Sequence, residues 1–231
     1  MKFAIIAAGE GSRLANEGIA TPKPLVLLNG EPMLDRLIRL FAANKASSVS
    51  LIINEEMHEV YDHVQQTPYP TPVHVIRKST LSSMHSFYEL AHTLGDEKFC
   101  LTTVDTVFRE DEFSLFIKAF NACTADGLFG VTSYIDDEKP LYVEIDERRI
   151  VRGFHDENVT GATEVSGGIY GLKYNCIPVL KMSIEAGISK MRNFQRQLIM
   201  NGLKIQAWPF SKIIDVDTPE DIRKAALLIN N

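Results

Sequence analysis

The first 25 residues constrain this chain more than any other stretch. Phe3-Ala4-Ile5-Ile6-Ala7-Ala8 is a continuous apolar run suited to a buried strand, and it passes straight into Gly9-Glu10-Gly11-Ser12-Arg13-Leu14. The two glycines permit positive φ and let backbone N–H groups come close to a ligand, so the loop is suited to holding an anion. Arg13, and then Lys23 within Pro22-Lys23-Pro24-Leu25, add a planar fork and a compact point charge. Together these orient and neutralise a chain of phosphates.

Two other glycine-loop patterns fail on spacing. A dinucleotide fingerprint, G-x-G-x-x-G, needs a third glycine where Leu14 stands. A phosphate loop of the G-x-x-x-x-G-K-[ST] type needs a Gly-Lys-Ser or Gly-Lys-Thr, and the chain has neither. A tight strand-to-helix turn without a ligand would explain the glycines alone, but not Arg13 and Pro22-Lys23 as well.

At 231 residues the chain is long enough for one α/β domain with a real core, and we treat residues 1–231 as a single domain. A net charge of -6 without any block of lysines or arginines argues against nucleic-acid binding, while single nucleotides need only a local cationic pocket. The N-terminal apolar run meets Glu10 and Arg13 too soon for a signal peptide, and no segment approaches the ~20 apolar residues of a membrane span. A cytoplasmic protein without a membrane partner is expected. Cys100, Cys123 and Cys176 are odd in number and widely spaced, which suggests neither a disulfide framework nor a zinc site.

Strand-like runs at 3–7, 49–54, 73–77 and 98–103 alternate with helix-length stretches at 32–44, 56–66, 83–94 and 110–122, the pattern of a parallel sheet covered by helices. Leu34, Leu37, Ile38 and Phe41 recur at helical spacing, as do Phe113, Phe116, Ile117 and Phe120, and both stripes should face the sheet. Beyond Asp126-Gly127 shorter strands follow at 128–134, 141–145, 149–154 and 165–172, then helices at 175–186 and 190–201, a strand at 204–208 and a helix at 219–229. We therefore divide the domain into a first half of parallel pattern, 1–125, and a second half with a small mixed or antiparallel portion, 126–231.

Two segments place aspartates where strands end. Asp105 follows Phe99-Cys100-Leu101-Thr102-Thr103-Val104, at the carboxyl end of a strand where α/β sheets bind ligands, although an N-cap or loop role fits it too. Asp215 and Asp217 lie two apart in Ile213-Ile214-Asp215-Val216-Asp217-Thr218-Pro219-Glu220-Asp221. There Thr218 with Asp221 has the form of a capping box and Pro219 suits the first helical turn.

The loop Ala7-Ala8-Gly9-Glu10-Gly11-Ser12-Arg13 with Pro22-Lys23-Pro24-Leu25 closely resembles the signature of nucleotidyltransferases. These are the sugar-phosphate nucleotidyltransferases and phosphocholine cytidylyltransferase-like enzymes of the MobA-like NTP transferase type. The resemblance implies a GT-A-like fold, with a mainly parallel Rossmann-like sheet flanked by helices. It also implies that residues 7–13 and Lys23 wrap the triphosphate of a nucleotide, with Arg13, Lys23, Asp105 and Asp217 as the catalytic set. The final segment resembles the family's Asp-x-Asp-Thr-Pro-Glu-Asp run, in which the second aspartate joins the strand-end aspartate in binding magnesium. Asp105 and Asp217 would thus hold Mg2+, which needs only one or two carboxylates besides substrate phosphates and water.

Lys78-Ser79-Thr80-Leu81-Ser82-Ser83 lies where such enzymes recognise the base. Thr80, Ser82 and Ser83 could bond a base edge or simply cap the next helix. Their pattern resembles cytidylyltransferase members, which leans the expectation toward CTP. Glu164, Gly167, Gly168 and Lys212 are the acceptor-side candidates, though the glycines also fit a strand bulge and Lys212 a solvated lysine. Sugar-specific relatives often carry Glu-Lys-Pro where this chain has His155-Asp156-Glu157, which leaves room for phosphocholine or another phosphorylated polar acceptor beside a sugar phosphate.

The expected reaction transfers a nucleoside monophosphate to a phosphorylated small molecule and releases pyrophosphate. A nucleotide-sugar-dependent glycosyltransferase would place its Asp-x-Asp in mid-chain, where residues 105–107 offer only Asp-Thr-Val. A non-catalytic nucleotide-binding regulator would have little use for Arg13, Lys23, Asp105 and Asp217 together. No sequence pattern bears on oligomeric state.

Overall fold

The computed structural model describes residues 1–230. The first half runs β1 (Lys2–Ala7), α1 (Ser12–Asn16), a 3-10 turn (Lys23–Leu25), β2 (Leu27–Leu28), β3 (Glu31–Pro32), α2 (Met33–Ala43), β4 (Ser48–Ile53), α3 (His58–Gln66), β5 (Val73–Arg77), α4 (Ser83–Leu94), β6 (Phe99–Thr103), β7 (Thr106–Phe108) and α5 (Glu110–Ala122). The second runs β8 (Gly127–Thr132), β9 (Tyr142–Ile145), β10 (Val151–His155), β11 (Val165–Leu172), α6 (Cys176–Glu185), α7 (Met191–Met200), β12 (Ile205–Phe210), β13 (Ile213–Asp215) and α8 (Pro219–Ile229).

Strands β5, β4, β1 and β6 pair in parallel, and β11 joins β6 antiparallel. The sheet continues through β8 to the edge strand β12, with the β9–β10 hairpin attached at the start of β11. The acceptor-side strands thus extend the same nine-stranded sheet. Because β1 is buried on both faces, its apolar residues divide by parity. Phe3, Ile5 and Ala7 enter one core, and Ala4 and Ile6 enter the other. The first core is aromatic, with Phe113 stacked on Phe108 at 4.9 Å and next to Phe41 at 5.6 Å. Both helical stripes expected from the sequence are buried. A third, smaller cluster joins Leu14, Val107, Ile214, Val216 and Ala225, and so fixes α1 and α8 beside the β7–β13 ribbon.

Several boundaries shift for physical reasons. The strand expected at 204–208 runs on through Pro209 to Phe210. Proline is tolerated there because β12 lies at the sheet edge. The strand expected at 128–134 ends at Thr132, which leaves a connection without helix or strand before Tyr142. The elements α1, β2, β3 and β7 have five residues or fewer, too short to leave a periodic signal. Cys100 and Cys176 are buried and Cys123 is half-buried, all three as free thiols. Among the described residues no helix is long and apolar enough to cross a membrane.

Candidate active site

The sheet brings the two ends of the chain together. Strands β1 and β6 are adjacent and in register, Ile6 opposite Thr103, so the glycine loop and Asp105 leave the same edge side by side. The Val104 N–H donates to the Ile6 carbonyl at 3.0 Å. Beyond that edge β13 pairs antiparallel with β7, Asp215 opposite Thr106, and the Val216 N–H donates to the Asp105 carbonyl at 3.0 Å. The capping box of α8 is present: the Asp221 N–H donates to Thr218 Oγ1 at 3.3 Å, and Asp221 Oδ2 accepts from the Thr218 N–H at 2.9 Å. The same Oδ2 takes the Asp217 N–H at 3.2 Å, so helix initiation also sets Asp217 in place.

Lys23 stands between the carboxylates. Its Nζ donates to Asp105 Oδ2 at 2.5 Å and to Asp217 Oδ1 at 2.7 Å, and its side chain is only 10% exposed. Arg13 Nη1 reaches Asp217 Oδ2 at 2.7 Å from a side chain that is 63% exposed, free to turn toward an incoming anion. Burial disfavours the Lys23 ammonium, but the charges and hydrogen bonds of Asp105 and Asp217 outweigh this and raise its pKa. Burial likewise opposes ionisation of Asp105, and Lys23 with Thr103 outweighs it, holding that carboxyl below its usual range. Among the described residues the Asp215 carboxylate accepts only from the Thr106 hydroxyl, at 3.1 Å, and Lys23 acts on it from a distance. Protein crowds round it although it reaches solvent through the cleft, and with the nearby charge of Asp105 this pushes its pKa up to about 7.

Gly11 holds this arrangement together. Its φ is +63°, and a Cβ there would stand 3.2 Å from Lys23 Cβ. We predict that Gly11→Ala weakens triphosphate binding about tenfold, since a side chain in the left-handed region costs roughly 1–2 kcal/mol and Lys23 must shift as well. Titration calorimetry with a nucleoside triphosphate checks this, and an unchanged affinity would contradict it.

A cavity of about 1060 Å³ opens over the loop. Ala7, Ala8, Gly9, Glu10, Gly11, Ser12, Arg13, Lys23, Thr80, Ser82 and Ser83 all line it, together with Asp105 and Asp217. The Ser82 hydroxyl is already engaged, accepting from the Lys190 N–H at 3.2 Å and lying 2.9 Å from His85 Nδ1, so it braces the loop. Asn54, Glu56 and His58, past the end of β4, also line the cavity. The strand-end rule that singled out Asp105 could have found them.

A second cavity, of about 470 Å³, shares Arg13 and Asp217 with the first. Of the acceptor-side candidates only Gly167 lines it, against Ile213, where an added Cβ would overlap Cδ1 at 2.1 Å. Glu164 lies outside this lining and is held by Arg149 through bonds of 2.6 and 3.1 Å. Gly168 sits beneath the wall with φ +72°, its missing Cβ 2.8 Å from Thr106 Oγ1. Lys212 places its ammonium 3.9 Å from the ring centre of Tyr134. Asp215, Tyr134 and Lys224 line this cavity and were not among the acceptor-side candidates.

The glycine loop and the paired aspartates thus stand together at one edge of an α/β sheet, and comparison with known proteins shows the family. Residues 3–156 match the MobA-like NTP transferase domain, and the chain belongs to that family. It is similar to a putative mannose-1-phosphate guanyltransferase of Sulfolobus acidocaldarius, 20% identical over 96% of this chain and 61% of that protein. It is 30% identical to a 2-aminoethylphosphonate cytidylyltransferase of Lancefieldella rimae over 54% of each. The chain spans about half to three fifths of the length of the curated relatives it matches. In fold it resembles the inositol-1-phosphate CTP transferase of T. maritima, with a TM-score of 0.82 at 18% identity over 100% of this chain and 96% of that one.

Proposed function

We propose that this protein is a nucleotidyltransferase that moves a nucleoside monophosphate from a triphosphate to a phosphorylated small molecule. The observation that carries this reading is the convergence of Arg13, Lys23, Asp105 and Asp217 where two cavities meet. The larger cavity suits a nucleotide, the smaller one an acceptor. An acceptor phosphate oxygen attacks the α-phosphorus in line; the new O–P bond forms as the bond to the bridging oxygen breaks, and its electrons leave with pyrophosphate. Lys23 and Arg13 offset the charge that otherwise keeps two polyanions apart, and Gly9, Gly11 and Ser12 offer backbone to the phosphates.

The donor set also fits a hard divalent ion. Asp105 and Asp217 each present an oxygen to the same ammonium, so a small cation is already accommodated between them. Among the described residues no group of three or more His, Cys, Asp or Glu is placed to hold a metal. Two carboxylates suit magnesium, which keeps waters and phosphates as its other ligands and would supply further charge neutralisation when bound.

CTP is the triphosphate we favour, supported by the Thr80-Leu81-Ser82-Ser83 loop lining the cavity and by the cytidylyl specificity named for two of the similar proteins. The acceptor class we assign is a sugar phosphate or a phosphocholine-like molecule. A cytoplasmic location completes the reading, supported by three cysteines that remain free thiols. The test is to incubate the protein with magnesium, each common nucleoside triphosphate, and mannose 1-phosphate, inositol 1-phosphate, 2-aminoethylphosphonate or phosphocholine. Acceptor-dependent pyrophosphate release is expected, strongest with CTP. Its absence from every combination would overturn the reading.

A further inference from the structure

One wall of the smaller cavity is the connection between β8 and β9, residues 133–141. It turns Asp136, Asp137 and Glu138 toward the cavity, and across from it stand Glu220 and Asp221 of α8 with Glu17 just past α1. Acid thus faces acid across the cavity. Lys224 of α8 crosses the gap: its Nζ donates to Asp136 Oδ2 at 2.5 Å and lies 3.9 Å from Asp221. Tyr134 Oη donates to the same Asp136 oxygen at 2.9 Å. The connection is otherwise held near its ends, by Lys212 over the Tyr134 ring and by Arg192 donating to the Lys139 carbonyl at 3.0 Å. Its middle is tied to α8 through Lys224.

We propose that the Lys224–Asp136 pair holds residues 133–141 closed across the acceptor cavity, and that this tie sets affinity for the acceptor and not for the nucleotide. The proposal rests on the nucleotidyltransferase reading given above. Neither residue lines the nucleotide cavity. An exposed ion pair is weak by itself. Removing this cation does more than lose a pair: Glu220 is paired with Arg223 on its own helix, and Lys224 is what ties the middle of the connection to α8, so its loss lets the connection swing outward. Lys224 and Asp136 are therefore positioning residues.

The test compares wild type with Lys224→Met, Lys224→Arg and the charge exchange Asp136→Lys/Lys224→Asp, using whichever of the four acceptors supports the most pyrophosphate release. Lys224→Met should raise the acceptor KM about fivefold or more. Its kcat and nucleotide KM should stay within about twofold, and both Lys224→Arg and the exchange should recover most of the loss. A glutamate-specific protease should also cut after Glu138 faster in Lys224→Met. An unchanged acceptor KM, or a nucleotide KM that rises in parallel, overturns the proposal. A wild type silent with every triphosphate and acceptor overturns the functional reading and with it the affinity part of the proposal. Cleavage rates still decide the tie in that case, since equal rates show that Lys224 does not hold the connection.

Discussion

Replacing Lys23 with alanine is expected to lower turnover by about 10²-fold or more while leaving the fold in place. The size follows from what the ammonium does. It lies within 2.7 Å of both carboxylates, and it is shielded enough from water that its charge is little screened. Without it, Asp105 and Asp217 face the incoming phosphates with no fixed protein cation between them, and Arg13 is too exposed to substitute. The loss should fall mainly on kcat, because Lys23 acts on charge that develops as pyrophosphate leaves. Steady-state kinetics on a variant with an unchanged far-ultraviolet spectrum makes the comparison. Near wild-type kcat/KM would contradict the assigned role.

Phe113→Ala should cost roughly 3–5 kcal/mol of stability, at the upper end for core truncations. Phe113 is fully buried on α5, with the rings of Phe108, Phe41, Phe116 and Phe3 all within 6.4 Å. No neighbour is free to fill the space, because each is fixed in the same aromatic stack. The consequence reaches the site, since Phe108 ends β7 and β7 pairs with the strand that leads to Asp217. Urea unfolding should show a lower midpoint with an unchanged slope. A loss under about 1 kcal/mol would mean that this core relaxes easily.

What the sequence revealed and what it hid follow from length and locality. The glycine loop, Lys23 and both strand-end aspartates were legible because each is announced by a long apolar strand or a helix cap within a few residues. The parallel half was equally plain, for buried strands and amphipathic helices alternate there without interruption. The wall of the smaller cavity was not. It is assembled from single side chains of α1, α8 and the 133–141 connection, brought together by a β7–β13 ribbon of three residues a strand. Elements so short carry no period, and the proximity of Lys224 to Asp136 across 88 positions leaves no local trace. Glu164 lies outside the lining of the smaller cavity and is engaged by Arg149, whose φ of +62° in the hairpin turn no local pattern announces.

We propose that residues from opposite ends of the chain form one centre for a polyphosphate and its cation. Titration calorimetry of CTP into wild type and Asp217→Ala, each with magnesium and with EDTA, tests it most directly. Magnesium should tighten binding at least about tenfold in wild type, and this gain should disappear in Asp217→Ala while the variant remains folded. Equal enhancement by magnesium in both proteins would show that Asp217 does not hold the cation.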